Sequence, residues 1–200
     1  MNGFSYKQPV DLKLFRPGDK SFLNLPRPIA MYVGRVAVEK NIKAFLNLDL
    51  PGTKVVVGDG PMLAHLRKRH PDVVFTGNKS GKILAAHYGA ADVFVFPSLT
   101  DTFGNVILEA LACGVPVAAF PVPGPLDVIG TAPVGCLDHD LRKAVRTALF
   151  ADPATCRAYA ERFSWAKSAR QFADNLVPVT LAAGRQESPG RPKPKELLDI

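Results

Sequence analysis

The 200-residue sequence predicts an α/β protein built on a doubly wound parallel sheet. Three observations predict it. Short runs that are apolar throughout, rather than alternating, read as strands buried on both faces. Segments of helical period separate them, and connections of that kind cross over right-handed to give a Rossmann-like layer. Glycine and proline punctuate most of the joins.

In order, "IAMYVGR" (29–35) reads as a first strand and "EKNIKAFLNL" (39–48) as the helix after it. "KVVVGDG" (54–60) is the second strand, with a helix over 61–69. "DVVFTG" (72–77) is the third, with a helix from about 80 to 89. "DVFVFPS" (92–98) is the fourth, followed by a helix over 105–113, and "VPVAAFP" (115–121) is the fifth. "GCL" (135–137) is the candidate for a short sixth strand. Helices are expected over 138–150, 153–162 and 164–176, the last with Trp165, Ala169, Phe172 and Leu176 on one apolar stripe. A domain over 21–177 is expected, preceded by a segment at 1–20. At 178–200 the Pro-, Gly- and charge-rich composition predicts a disordered tail.

Composition narrows the function classes. A 47% hydrophobic and 22% charged chain is ordinary for a globular domain, and the net charge of +7 favours an anionic partner. The basic residues are scattered without aromatic interleaving, which argues against nucleic acid. Cys113, Cys136 and Cys156 form no CxxC pair, so neither a disulfide framework nor a zinc site is expected. The histidines show no metal-ligand spacing. No run reaches the roughly 18 apolar residues of a membrane span, and no signal-peptide core appears at the N-terminus, so a cytoplasmic protein is expected.

In an open parallel sheet, ligands bind at the carboxyl ends of the strands. Four such ends here read "GRVAVEK", "GDGP", "TGNKSG" and "SLTDTFGN", all on one edge. Glu109 is the only charged residue between Thr102 and Leu126, and so apolar a setting demands either a partner or a task for it. With Asn105 as N-cap and Gly104 admitting close approach, the helix start suits a phosphate. A diol attached to that phosphate falls beside Glu109, about one turn further on, roughly 6 Å at 1.5 Å per residue. Asp101 lies on the other side, and Arg35, leaving the first strand's end, and Lys40, in the first turn of the helix that follows, supply cations. Each has a plainer reading: surface charges for Arg35 and Lys40, a simple turn for Gly58-Asp59-Gly60, a loop for Asn78 and Lys79, and a structural ion pair for Glu109.

Together these residues resemble the C-terminal half of a retaining glycosyltransferase of family 4, with the GT-B fold. The family's E-x7-E pattern is met as Asp101, "TFGNVIL" and Glu109, with aspartate in place of the first glutamate. "VGRVAVEKN", "VGDGP", "ADVFVFPS" and "LEALACGVPV" are also similar to the family, and "VDLKLFRP" (10–17) resembles its interdomain linker. The resemblance implies a nucleotide-diphosphate sugar as donor, bound by Gly34, Arg35, Lys40, Gly58, Asn78, Asp101, Phe103, Gly104, Asn105, Val106 and Glu109. Of these, Arg35 and Lys40 would hold the diphosphate, Glu109 the ribose and Asp101 the transferred sugar. These four are the implied catalytic residues, and no metal or other cofactor is implied. The implied reaction moves the sugar to an acceptor hydroxyl with retention. Family members add an N-terminal acceptor-binding domain, the implied partner, and many act at membrane surfaces. A non-catalytic module binding a protein through the cleft or the Trp165 helix is the competing expectation. An epimerase or a phosphorylase of the same fold explains "TDTFGNVILEALACG" less well.

Overall fold

A computed structural model describes residues 10–100 and 105–163. Six parallel strands, β1 (Ile29–Val33), β2 (Thr53–Val57), β3 (Val74–Gly77), β4 (Val93–Phe96), β5 (Val117–Ala119) and β6 (Gly135–Leu137), lie in the order β3-β2-β1-β4-β5-β6. The expected α/β class is therefore observed, and Gly135–Leu137 joins the sheet through its register with β5. The chain winds outward from β1 in one direction and from β4 in the other. The crevice between those two strands is the topological switch point, where such sheets bind ligands.

Both faces of the sheet are covered, which is why the strands need not alternate. Ile29, Met31 and Val33 of β1, with Phe94 and Phe96 of β4, face one core. That core is completed by α3 (Gly81–Ala90), α4 (Asn105–Ala112), α5 (Pro123–Val128) and α7 (Pro153–Ala160). Ala30, Tyr32, Val93 and Val95 face the other, under α1 (Ile42–Leu46), α2 (Leu63–Arg69) and α6 (Leu141–Ala148). Val10 and Phe15, in the stretch resembling a linker, are buried in the first core, and Val10 N–H donates to the Phe163 carbonyl at 3.1 Å.

Three local expectations are corrected. The first helix does not run unbroken from residue 39. A 3-10 turn, Val38–Lys40, ends at Asn41 in the left-handed conformation (φ 49°), and α1 begins after it. Asn41 Nδ2 donates to the Pro97 carbonyl at 3.0 Å, so a contact to the loop after β4 sets the break. Lys40 thus precedes α1 rather than sitting in its first turn. Second, Asn105 lies within α4 rather than capping it. Third, α5 was not expected; its Pro123 occupies the first helical turn, where the missing N–H costs nothing. The expected helix over 164–176 and the tail at 178–200 lie outside the described residues.

Candidate functional site

The loops at the carboxyl ends of β1 and β2 continue the sheet's stitching beyond the strands. Gly34 N–H donates to the Val57 carbonyl (3.0 Å), Val36 N–H to that of Asp59 (2.9 Å) and Met62 N–H to that of Val36 (3.1 Å). The approach is so close that a Cβ on Gly58 (φ 147°) would lie 1.9 Å from the Gly34 carbonyl oxygen. Gly58 is thus required by backbone contact, and the two loops form one rigid wall.

That wall bounds a cleft of ≈ 800 Å³. Gly34 and Arg35 line it from the loop after β1, Gly58, Asp59 and Gly60 from that after β2, and Asn78 and Lys79 from that after β3. Val106 and Glu109 close it from α4. Residues more than seventy positions apart in sequence converge here because every strand end in a parallel sheet points to the same edge. Lys40 is half-buried in its 3-10 turn and does not line the cleft, while Asn105 is exposed at the start of α4. Asp101, Phe103 and Gly104 lie outside the described residues.

Glu109 has a partner that is not a cation. The hydroxyl of Tyr88, in α3, donates to Glu109 Oε2 at 3.0 Å. Tyr88 is fully buried and held edge-on by Phe15 and Phe94, with ring centroids 5.9 and 5.8 Å away. Burial pushes the Glu109 carboxyl above its ordinary value, and the bond from Tyr88 works against that rise. Burial, and then the Glu109 carboxylate, push the Tyr88 phenol well above its own, so it remains a donor. Nothing in sequence spacing links residues 88 and 109; the pair was missed for that reason.

Arg35 is 65% exposed, and its ion pair is with Glu39 (3.6 Å), itself 55% exposed. Such a pair holds its guanidinium weakly. The Arg35 carbonyl, by contrast, accepts from Tyr32 Oη at 2.8 Å, so the backbone is fixed while the charged end faces solvent. Lys79 Nζ donates to the Thr76 carbonyl at 2.7 Å. The cleft thus presents cationic donors from two loops, Arg35 and Lys79, a carboxylate from the third, Asp59, and, from the helix wall, a half-buried acceptor. That arrangement suits an anionic ligand that also carries hydroxyls.

Fold and cleft together define a Rossmann-like domain with a cleft at its topological switch point. The chain belongs to the family described as glycosyl transferases group 1, whose profile matches residues 27–161. It is 39% identical over 150 residues to a GDP-mannose-dependent alpha-mannosyltransferase of Mycobacterium tuberculosis (strain CDC 1551 / Oshkosh), covering 68% of this chain and 40% of that protein. It is 35% identical over 190 residues to a D-inositol 3-phosphate glycosyltransferase of Mycolicibacterium paratuberculosis (strain ATCC BAA-968 / K-10), covering 78% and 43%. Among solved structures, a sucrose-phosphate synthase from Thermosynechococcus elongatus superposes with a TM-score of 0.66 at 32% identity, over 84% of this chain and 50% of that one. The fold is one half of the GT-B architecture. The chain spans less than half the length of the two curated relatives. Among the described residues, no helix is long and apolar enough to cross a membrane.

Proposed function

We propose that residues 21–177 form the donor-binding domain of a retaining glycosyltransferase that takes a nucleoside-diphosphate sugar. The observation that carries this reading is a half-buried Glu109, held by a buried phenol, facing a cleft whose opposite wall bears Arg35. Family membership and the mannosyltransferase relative's use of GDP-mannose support it. In this reading Glu109 accepts from the ribose hydroxyls, Arg35 binds the diphosphate, Lys40, beside the cleft rather than lining it, reaches the diphosphate through its long side chain, and Asp101 binds the sugar. Gly34, Gly58, Asn78, Phe103, Gly104, Asn105 and Val106 complete the donor site.

The step breaks the bond between the anomeric carbon and the diphosphate oxygen and forms one to the acceptor oxygen on the same face. The acceptor's proton passes to the departing phosphate. Cationic side chains and the start of α4 stabilise charge as it builds on the leaving group. The reaction is metal-independent in this proposal, since those groups supply the positive charge. The acceptor wall would come from an N-terminal domain, through a linker at 1–20, with peripheral contact to a membrane where the acceptor is a lipid.

The test is a thermal-shift panel of GDP, UDP, ADP and their hexose conjugates against the wild-type chain and Glu109→Ala. A ligand at about 100 times its Kd should stabilise by about 2.7 kcal/mol, several degrees here. A base-selective shift that disappears in Glu109→Ala is expected. A well-folded wild-type chain that no nucleotide shifts would sink the proposal.

A further inference from the structure

We propose that Tyr88 is a positioning residue for the donor: its buried hydroxyl holds Glu109 Oε2 on the core side and leaves Oε1 as the acceptor for the ribose. This rests on the ribose role given to Glu109 above. Nothing in that role requires a second residue, because a glutamate on an exposed helix face can find two hydroxyls unaided. Here the geometry is more restrictive. The Tyr88 ring is fixed between Phe15 and Phe94 with no exposed surface, so its hydroxyl has one place to be. Its 3.0 Å bond therefore selects a carboxylate orientation before any ligand arrives. A pre-set acceptor loses less side-chain freedom on binding than a rotating one.

The same bond has a second consequence. Burial favours the protonated carboxyl, which would waste an acceptor, and the hydrogen bond from Tyr88 offsets part of that tendency. Among the described residues, the other ionisable groups around Glu109 are Arg35, Asp59 and Lys79 from the three strand-end loops, and Cys113 one turn along α4. Cys113 is a thiol pushed up to about 12, chiefly by burial. All of these are unchanged when only the Tyr88 hydroxyl is removed, so a difference between wild type and Tyr88→Phe reports on this one bond.

The experiment titrates GDP and UDP, and their 2′-deoxy forms, into the full chain and into Tyr88→Phe between pH 5 and 8. In wild type the ribose form should bind about tenfold more tightly than the deoxy form, the worth of about one good hydrogen bond. In Tyr88→Phe that preference should shrink to about twofold, and the fall in affinity on acidification should begin at a higher pH. A Tyr88→Phe protein that melts earlier but keeps the wild-type ribose preference and pH profile would reduce Tyr88 to packing alone and overturn the inference, leaving the proposed function standing. Wild-type chain that binds none of GDP, UDP and ADP, or Glu109→Ala that binds as well as wild type, would remove the proposed function and this inference with it. Should Tyr88→Phe show no cooperative melt, tyrosine labelled with 13C at Cζ in the wild-type chain decides instead. The Tyr88 signal should move on adding nucleotide and should follow the titration of Glu109; a signal unmoved by either contradicts the proposal.

Discussion

Two clusters of charge, one at each edge of the sheet, are treated in opposite ways. At the amino-terminal edge, charged groups are consumed by the fold. Arg27 pairs with Asp92 and also donates to the Lys20 carbonyl at 2.8 Å, while Asp92 Oδ2 accepts from Ile29 N–H at 2.6 Å, where β1 begins. Arg157 Nη1 donates to the carbonyls of Phe15 (2.7 Å) and Ala112 (2.8 Å), its Nη2 to that of Leu12 (3.2 Å), and its Nε to Glu161 (3.0 Å). That one side chain fastens the stretch before β1 to the end of α4. At the carboxyl-terminal edge, Arg35 has an exposed pair with Glu39 and Glu109 has a phenol. Arg27, Asp92 and Arg157 have hydrogen bonds filled by backbone, whereas Arg35 and Glu109 keep capacity for a ligand.

The carboxylates show the same division. Asp152 caps α7, and hydrogen bonds, first from the Thr155 side chain and then from backbone N–H groups, lower its pKa. Glu109 is raised by burial. One is stabilised as a charge by the fold, and the other is held against the fold's preference.

The sharpest way to break this comparison is to exchange the readouts. Glu109→Ala should weaken nucleoside-diphosphate binding by about 100-fold, the value of about two good net hydrogen bonds, as calorimetric titration would measure. The next effect belongs to the other edge. Asp92→Ala strands the Ile29 N–H and the Arg27 guanidinium, and should cost roughly 2–3 kcal/mol, or about 5–10 °C in Tm. Nucleotide affinity should stay at the wild-type value. If Asp92→Ala lowers affinity as much as stability, the two edges are not separate. Arg35→Met should lower affinity about tenfold, as loss of one charge-assisted contact does. Its Tm should hold, because a pair this exposed contributes little to stability.

The smallest effect is on the ligand-free protein's pH dependence. With its folded pKa above the ordinary 4.5, Glu109 binds its proton more tightly in the folded state. Between 4.5 and the folded pKa its contribution to stability therefore falls as pH rises. Glu109→Gln should consequently melt higher than wild type at neutral pH, with the advantage closing below pH 4.5. Parallel melting curves across that range would show that the site imposes no such cost.

Much of this was legible in the sequence because the physics is local or periodic. Uninterrupted apolar runs marked the first five strands, with Gly135–Leu137 only a candidate until its pairing with β5 is seen, and the edge shared by the strand ends brought Arg35, Gly58, Asn78 and Glu109 to one cleft. What was not legible depends on contacts between distant segments. The break at Asn41 answers a carbonyl at Pro97, fifty-six residues away. Helix α5 begins in "VPGPLDV", whose prolines and glycine read as a loop until the first-turn position of Pro123 is seen. Tyr88 is an unremarked aromatic in "AAHYGAAD", and its tie to Glu109 exists only once α3 and α4 lie side by side.

The most direct test is a crystal structure of the chain with a nucleoside diphosphate. The predicted result places the ribose within hydrogen-bonding distance of Glu109 and the diphosphate against Arg35, with Tyr88 still bonded to Oε2. The opposite edge also has a pocket, of ≈ 440 Å³, lined by Lys20, Arg27 and Asp92. A nucleotide bound there, with the Glu109 cleft empty, would contradict the division of the molecule proposed here.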